Sequence, residues 1–178
     1  MLCRGCELAL ARARGGPVTV PGLDAAWAAT RYEGVARELV AALKFRGRIP
    51  LARRAAEAIA AGAPPELLAG AVVPVPAAPW RLRVRGHDPA EEIGFALATR
   101  ARVPFRPVLA RSSGPRQVGR RRSDRLADPP AVRARGRVPP RAVLVDDVVT
   151  TGATLGACAR ALRAAGAARV VAVAFTRA

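Results

Sequence analysis

The sequence predicts an α/β protein built on a parallel sheet flanked by helices. Two apolar runs lacking alternation, at 71–75 and 142–145, have the character of strands buried on both faces. Helical periodicities separate the strand-like runs, and this alternation is the pattern of a parallel sheet covered by helices. At 178 residues, half of them apolar, the chain is long enough to bury a real core in one domain.

Residues 1–24 lack strong periodicity and hold Gly15, Gly16, Pro17, Pro21 and Gly22, so they are expected to form an arm or a reduced small module. The main domain is expected over 25–178. A short strand is predicted at 26–32. Val35, Leu39, Val40 and Leu43 recur at helical spacing over 34–46, and a second helix is predicted over 50–61 with Pro50 in its first turn. The run at 71–75 ends in a stiff Pro74-Val75-Pro76 loop. Asp88-Pro89 has the form of an N-cap followed by proline at N1, opening a helix that ends near Arg102. Another strand is expected at 105–109. Residues 111–141 are rich in Arg, Gly, Pro and Ser, and a loop of that length is characteristically functional or disordered. A strand at 142–145, a helix at 154–165 capped by Gly166, and a final strand at 169–175 complete the reading.

The formal net charge is +17, and Lys44 is the only lysine. An arginine-rich surface suits phosphates or nucleic acid, because guanidinium forks match phosphate oxygens. A GC-rich coding sequence would produce the same excess, so charge alone names no partner. No apolar run approaches the ~20 residues needed to cross a bilayer, and the N-terminus has no secretory pattern. Three cysteines without an export signal argue against a disulfide framework. The expectation is a cytoplasmic protein without membrane insertion.

The chemistry concentrates in residues 143–155, Val-Leu-Val-Asp-Asp-Val-Val-Thr-Thr-Gly-Ala-Thr-Leu. Asp146 and Asp147 are expected at the C-terminal end of a buried strand, where α/β sheets bind ligands. Thr150, Thr151, Gly152, Ala153 and Thr154 then turn into a helix, presenting backbone N–H groups and hydroxyls suited to a phosphate. Two carboxylates would repel a bare phosphate, so they should address hydroxyls or a metal. The vicinal hydroxyls of a ribose, one sugar length from its 5-phosphate, meet that requirement. No Gly-x4-Gly-Lys-Ser/Thr loop is present, and too little chain follows Asp147 to complete a receiver domain.

This thirteen-residue pattern resembles the signature with which type I phosphoribosyltransferases bind phosphoribosyl pyrophosphate (PRPP). The whole chain resembles the ComF family (competence protein F) within that superfamily. Further stretches carry the likeness: Tyr32-Glu33-Gly34 through Leu43-Lys44-Phe45-Arg46-Gly47; Val73-Pro74-Val75-Pro76 with Arg81 and Arg85-Gly86; and Gln117-x-Gly119 in an arginine-rich loop. The resemblance implies a type I phosphoribosyltransferase-like sheet. It also implies roles. Asp146 and Asp147 would hold ribose hydroxyls, as the catalytic pair and indirect Mg²⁺ contacts, and residues 150–154 would hold the 5-phosphate. Val75, Pro76, Arg81 and Arg85 would form the pyrophosphate loop, with Mg²⁺ bridging pyrophosphate and sugar. Arg116, Gln117, Arg121 and Arg125 would belong to a lid or contact nucleic acid.

The chain departs from the family in two places. Arg85-Gly86-His87-Asp88-Pro89 stands where the family has Arg-Gly-Phe-Asn-Gln, leaving His87 either a ligand contact or acid–base group, or a structural residue beside a helix cap. Cys3-x2-Cys6 is half of the family's zinc module, and a structural zinc site needs four ligands. Lys44 is open between a phosphate contact and a complement to its helix dipole.

Three functions share this pocket: transfer of phosphoribosyl to a nitrogenous acceptor, handling of single-stranded DNA with competence proteins, and sensing of PRPP or a nucleotide without turnover. A homodimer is compatible with each. Few aromatics are available for stacking bases, which weighs against the DNA reading.

Overall fold

The computed structural model describes residues 3–47, 49–111 and 131–178. In chain order it contains helix α1 (Arg4–Arg12), strands β1 (Gly16–Pro17) and β2 (Ala25–Arg31), and helices α2 (Gly34–Arg46) and α3 (Leu51–Gly62). Strand β3 (Ala71–Pro74), helices α4 (Pro79–Arg85) and α5 (Pro89–Ala101), and strands β4 (Leu109–Arg111) and β5 (Val132–Ala134) follow. Strand β6 (Arg141–Val149), helix α6 (Ala153–Ala164) and strand β7 (Arg169–Arg177) end the chain.

The main sheet has the order β1-β2-β7-β6-β3. It is parallel throughout except at β1, which pairs antiparallel with β2. Strands β6 and β7 are apolar on both faces because helices cover both. One core joins Leu39, Leu43, Ile59, Ile93 and Leu97 of α2, α3 and α5 to Val143, Val145 and Phe175. The other joins Leu155, Cys158 and Leu162 of α6 to Val73, Leu144 and Val170. This is an α/β architecture with a mostly parallel sheet flanked by helices. Among the described residues no helix is long and apolar enough to cross a membrane.

Several boundaries differ from expectation. β6 continues through the carboxylates to Val149, because its pairing with β7 persists to Val149↔Arg177. Asp146 and Asp147 therefore lie inside the strand, near its end. The strand expected at 105–109 reduces to a single bridge, Phe105↔Val72, and the true strand starts at Leu109 and pairs antiparallel with β5. The stretch 111–141 thus contains β5 where a continuous loop is expected. The 1–24 arm holds α1 and β1, and its Val20 is buried in the second core. Helix α4 is absent from the sequence reading and has no buried residue.

Candidate functional site

The connections on either side of β6 run over opposite faces of the sheet. α5 lies between β3 and β6 against one core, and α6 joins β6 to β7 against the other. The chain therefore leaves the neighbouring strands β3 and β6 toward opposite faces, and that divergence leaves a crevice at the strands' carboxyl ends. A cleft of about 440 Å³ opens there. Its lining brings together Val75, Pro76, Arg81, Arg85, Asp146, Asp147, Thr150 and Thr154, residues from two separate expected stretches. Thr151, Gly152 and Ala153 line a contiguous concavity of about 40 Å³ at the start of α6, which shares Asp146, Thr150 and Thr154 with the larger cleft.

Gly152 is the residue that makes this concavity. It caps α6 with a left-handed backbone (φ 73°), and a β-carbon there would stand 2.8 Å from Val20 Cγ2. Only glycine meets both demands without strain. The turn is further held by Ala153 N–H donating to Thr151 Oγ1 at 3.4 Å. The free N–H groups and dipole of a helix start suit an anion.

On the opposite wall Asp88 ties two elements together. Its Oδ1 accepts from Ala90 N at 3.0 Å, capping α5, and its Oδ2 accepts from Ala77 N at 2.7 Å, fixing the loop after β3. Val75 N–H donates to Val145 O at 3.0 Å, so the loop is pinned at both ends. Burial raises the Asp88 pKa above the usual carboxylate value, against the pull of the two N–H donors. Asp88→Ala is expected to lose about 1–2 kcal/mol of stability through the cap, or a few degrees in Tm, and to weaken anion binding by freeing the loop. Thermal denaturation and anion titration of Asp88→Ala beside Asp88→Asn, which keeps the cap acceptor, separate the two effects.

His87 is structural. Its Nε2 lies 2.7 Å from Leu43 O and its Nδ1 2.9 Å from Arg85 O; both neighbours are acceptors, a neutral ring donates to one of them, and the ring sits between the end of α2 and the end of α4. Lys44, beside that anchor, points into the cleft. Its Nζ stands 2.8 Å from Asp147 Oδ2, an ion pair by distance whose angles fall outside hydrogen-bond geometry. Lys44 thus lines the cleft, and the partner it has there is the Asp147 carboxylate.

The carboxylates differ in surroundings. Asp147 is 7% exposed and is held by Lys44. Asp146 is partly open to the cleft, and its Oδ1 accepts from Asp147 N at 2.8 Å. Burial first, then the Asp147 charge, push the Asp146 pKa well above the usual range, while the Asp147 N–H and Lys44 pull it down. Because Asp146 retains access to the cleft, desolvation acts on it less fully than on an enclosed group. The direction of the shift stands.

Tyr32, which the sequence reading named only within a family-like stretch, and Ala178 and Arg111, which it gave no role, complete the lining. Tyr32 and Ala178 come from the ends of β2 and β7, and Arg111 from the end of β4. Burial and the neighbouring Arg81 charge lower the Arg111 pKa. Four cations (Lys44, Arg81, Arg85 and Arg111) thus face three carboxylates (Asp88, Asp146 and Asp147). A strand-end rule applied to β2 and β7 would have pointed to Tyr32 and Ala178. Arg111 had no local signal.

The remaining expected residues lie elsewhere. Arg116, Gln117, Arg121 and Arg125 fall outside the described residues. Cys3 is the N-cap of α1 and Cys6 lies in its first turn, remote in the chain from Cys158. Cys158 is buried, and burial together with the Asp146 charge pushes its thiol up to about 12, which makes it an inert core group. Among the described residues no group of three or more His, Cys, Asp or Glu gathers for a metal. The donor set does fit a Mg²⁺ that arrives on pyrophosphate oxygens and needs one carboxylate from the protein.

Fold and site together define an α/β protein with a cleft lined by cations and carboxylates at the carboxyl ends of β3 and β6. No protein-family model matches the chain, and no curated protein matches it.

Proposed function

We propose that the cleft binds PRPP and that the protein is a ComF-like phosphoribosyltransferase with a type I phosphoribosyltransferase-like fold. The observation that carries this reading is the arrangement of three chemistries around one cleft. A Gly152-shaped turn at the start of α6, an acidic pair in β6, and the Val75–Pro76 loop with the arginines of helix α4 after it all line this cleft and the concavity that shares its residues. Ribose 5-phosphate with a pyrophosphate at its anomeric carbon presents phosphate, diol and diphosphate in that order. Residues 150–154 hold the 5-phosphate. Asp146 and Asp147 read the ribose hydroxyls, which donate to the carboxylate oxygens. Arg81 and Arg85 face the pyrophosphate.

Reaction is displacement at the anomeric carbon. The acceptor nitrogen forms a bond to that carbon, the carbon–oxygen bond breaks, and pyrophosphate leaves with the electron pair as the acceptor loses a proton. Positive groups fixed on the leaving group stabilise the charge that develops there. Bound Mg²⁺ supplies further charge neutralisation on the pyrophosphate. The pinned loop holding Val75 and Pro76 keeps that wall in place without reorganisation. Release of pyrophosphate from PRPP across a panel of nitrogenous bases tests turnover. Binding without release for every base would make the protein a sensor.

A specific observation favours single-stranded nucleic acid as a second reading. The few aromatics are placed where a strand could use them. Trp80 and Phe45 are 61% and 73% exposed beside the cleft. Arg81 lies over the Trp80 ring at 5.3 Å and Arg85 over the Phe45 ring at 5.1 Å. Base stacking is worth about 1–3 kcal/mol per ring. Trp80→Ala with Phe45→Ala is expected to weaken binding of a short single strand by at least about tenfold, in a salt-sensitive manner. Fluorescence anisotropy at two salt concentrations reads this; unchanged affinity in the double variant discards the reading.

A further inference from the structure

We propose that Lys44 is a positioning residue that makes Asp147 available to the sugar only when a pyrophosphate group is present. The inference rests on the PRPP reading of the cleft and adds a basis for selecting the diphosphate over the simple sugar phosphate.

Lys44 sits at the end of α2, with its ammonium 2.8 Å from Asp147 Oδ2 and its side chain 21% exposed. That oxygen is buried, has no hydrogen bond among the described residues, and has the Lys44 ammonium as its ionic partner. The ammonium therefore stands against the acceptor that a ribose hydroxyl needs. A hydroxyl alone cannot displace it, since that would exchange a charge–charge contact for a neutral one in a partly buried place.

A pyrophosphate can. Lys44 lines the same cleft as Arg81, Arg85 and Arg111, so a multiply charged anion gathered by those arginines offers the ammonium a stronger partner. The backbone flanking Lys44 is held while this happens: Leu43 is fully buried, and its carbonyl is fixed by His87 Nε2 at 2.7 Å. Only the lysine side chain has to turn. Its long flexible stem and three donors suit that movement better than a guanidinium fork would. Turning leaves Asp147 Oδ2 free for the sugar, which couples diol reading to diphosphate binding.

Lys44 is the only lysine in the chain, so [ε-13C]lysine labelling gives one side-chain signal that reports this contact directly. Saturating inorganic pyrophosphate, and separately PRPP with Mg²⁺, is expected to move the signal away from the position set by the Asp147 contact, which the loss of that contact in Asp147→Asn identifies. Ribose 5-phosphate is expected to leave it in place. In calorimetry Lys44→Met should lose about tenfold in affinity for PRPP and for pyrophosphate while its affinity for ribose 5-phosphate holds or rises. Lys44→Arg should keep the wild-type order of preference, and unchanged melting temperatures exclude a folding effect. A signal that stays fixed under saturating pyrophosphate, or an equal loss of all ligands in Lys44→Met, overturns the proposal. If pyrophosphate moves the signal but PRPP does not bind, the Lys44 switch stands and the PRPP reading fails.

Discussion

Replacing both carboxylates, Asp146→Asn with Asp147→Asn, is expected to lower PRPP affinity by at least about a hundredfold, since two hydrogen bonds to charged groups at about 1.5–3 kcal/mol each are lost. The single Asp146→Asn variant is expected to be more stable than the wild type near neutral pH. The Asp146 pKa is raised in the folded state by burial and by the Asp147 charge. The folded protein therefore holds a proton that the unfolded chain releases from its ordinary value of 3.8 upward. Stability is greatest below that value and declines as pH rises through the folded-state pKa. An amide does not titrate, so the variant should escape the decline and gain about 2–4 °C in Tm for each kcal/mol recovered. Melting curves between pH 4 and 8 beside PRPP titrations test both halves. A wild type whose stability rises through that window faster than the variant's would contradict the assigned direction.

Gly152→Val is the second large effect. At φ 73° a branched side chain carries a backbone penalty of about 1–3 kcal/mol, and its first carbon would stand 2.8 Å from Val20. Either the turn or the Val20 segment must move, and residues 150–154 lose the concavity that faces the anion. Binding of PRPP and of ribose 5-phosphate should fall together, since both use the same phosphate end. Losses confined to PRPP would place the 5-phosphate elsewhere. Gly152→Ala should show the same pattern at smaller amplitude, and thermal denaturation separates lost stability from lost binding.

The part of the site that could be read from the sequence was the part whose chemistry is local. Residues 143–155 announce a strand, an acidic pair and an anion-binding turn in one continuous stretch, and the structure has that strand and turn. Asp88-Pro89 was legible for the same reason, since a cap is made within three residues, although its second bond to Ala77 joins positions eleven apart and had no signature. Lys44 needed the tertiary fold: α2 ends beside β6, and no spacing rule connects residue 44 to residue 147.

Helix α4 was illegible for a different reason. Trp80, Leu82 and Val84 alternate like a strand, with Val84 78% exposed, so no helical apolar stripe exists to be seen. Pro79 at its start and the left-handed Gly86 at its end define the helix, and it packs against nothing that periodicity could report. Helix α1 likewise buries no residue. The end of β6 was misjudged because two carboxylates read as the edge of an apolar strand, whereas hydrogen bonding to β7 carries the strand past them.

Calorimetric titration of the full chain with PRPP in the presence of Mg²⁺ tests the central claim most directly. Saturable one-to-one binding is expected, with a Kd on the order of micromolar to submillimolar, the range usual for enzyme substrates, and with its loss in Asp146→Asn/Asp147→Asn. Absence of binding at millimolar PRPP, or binding that the double variant retains in full, would contradict it.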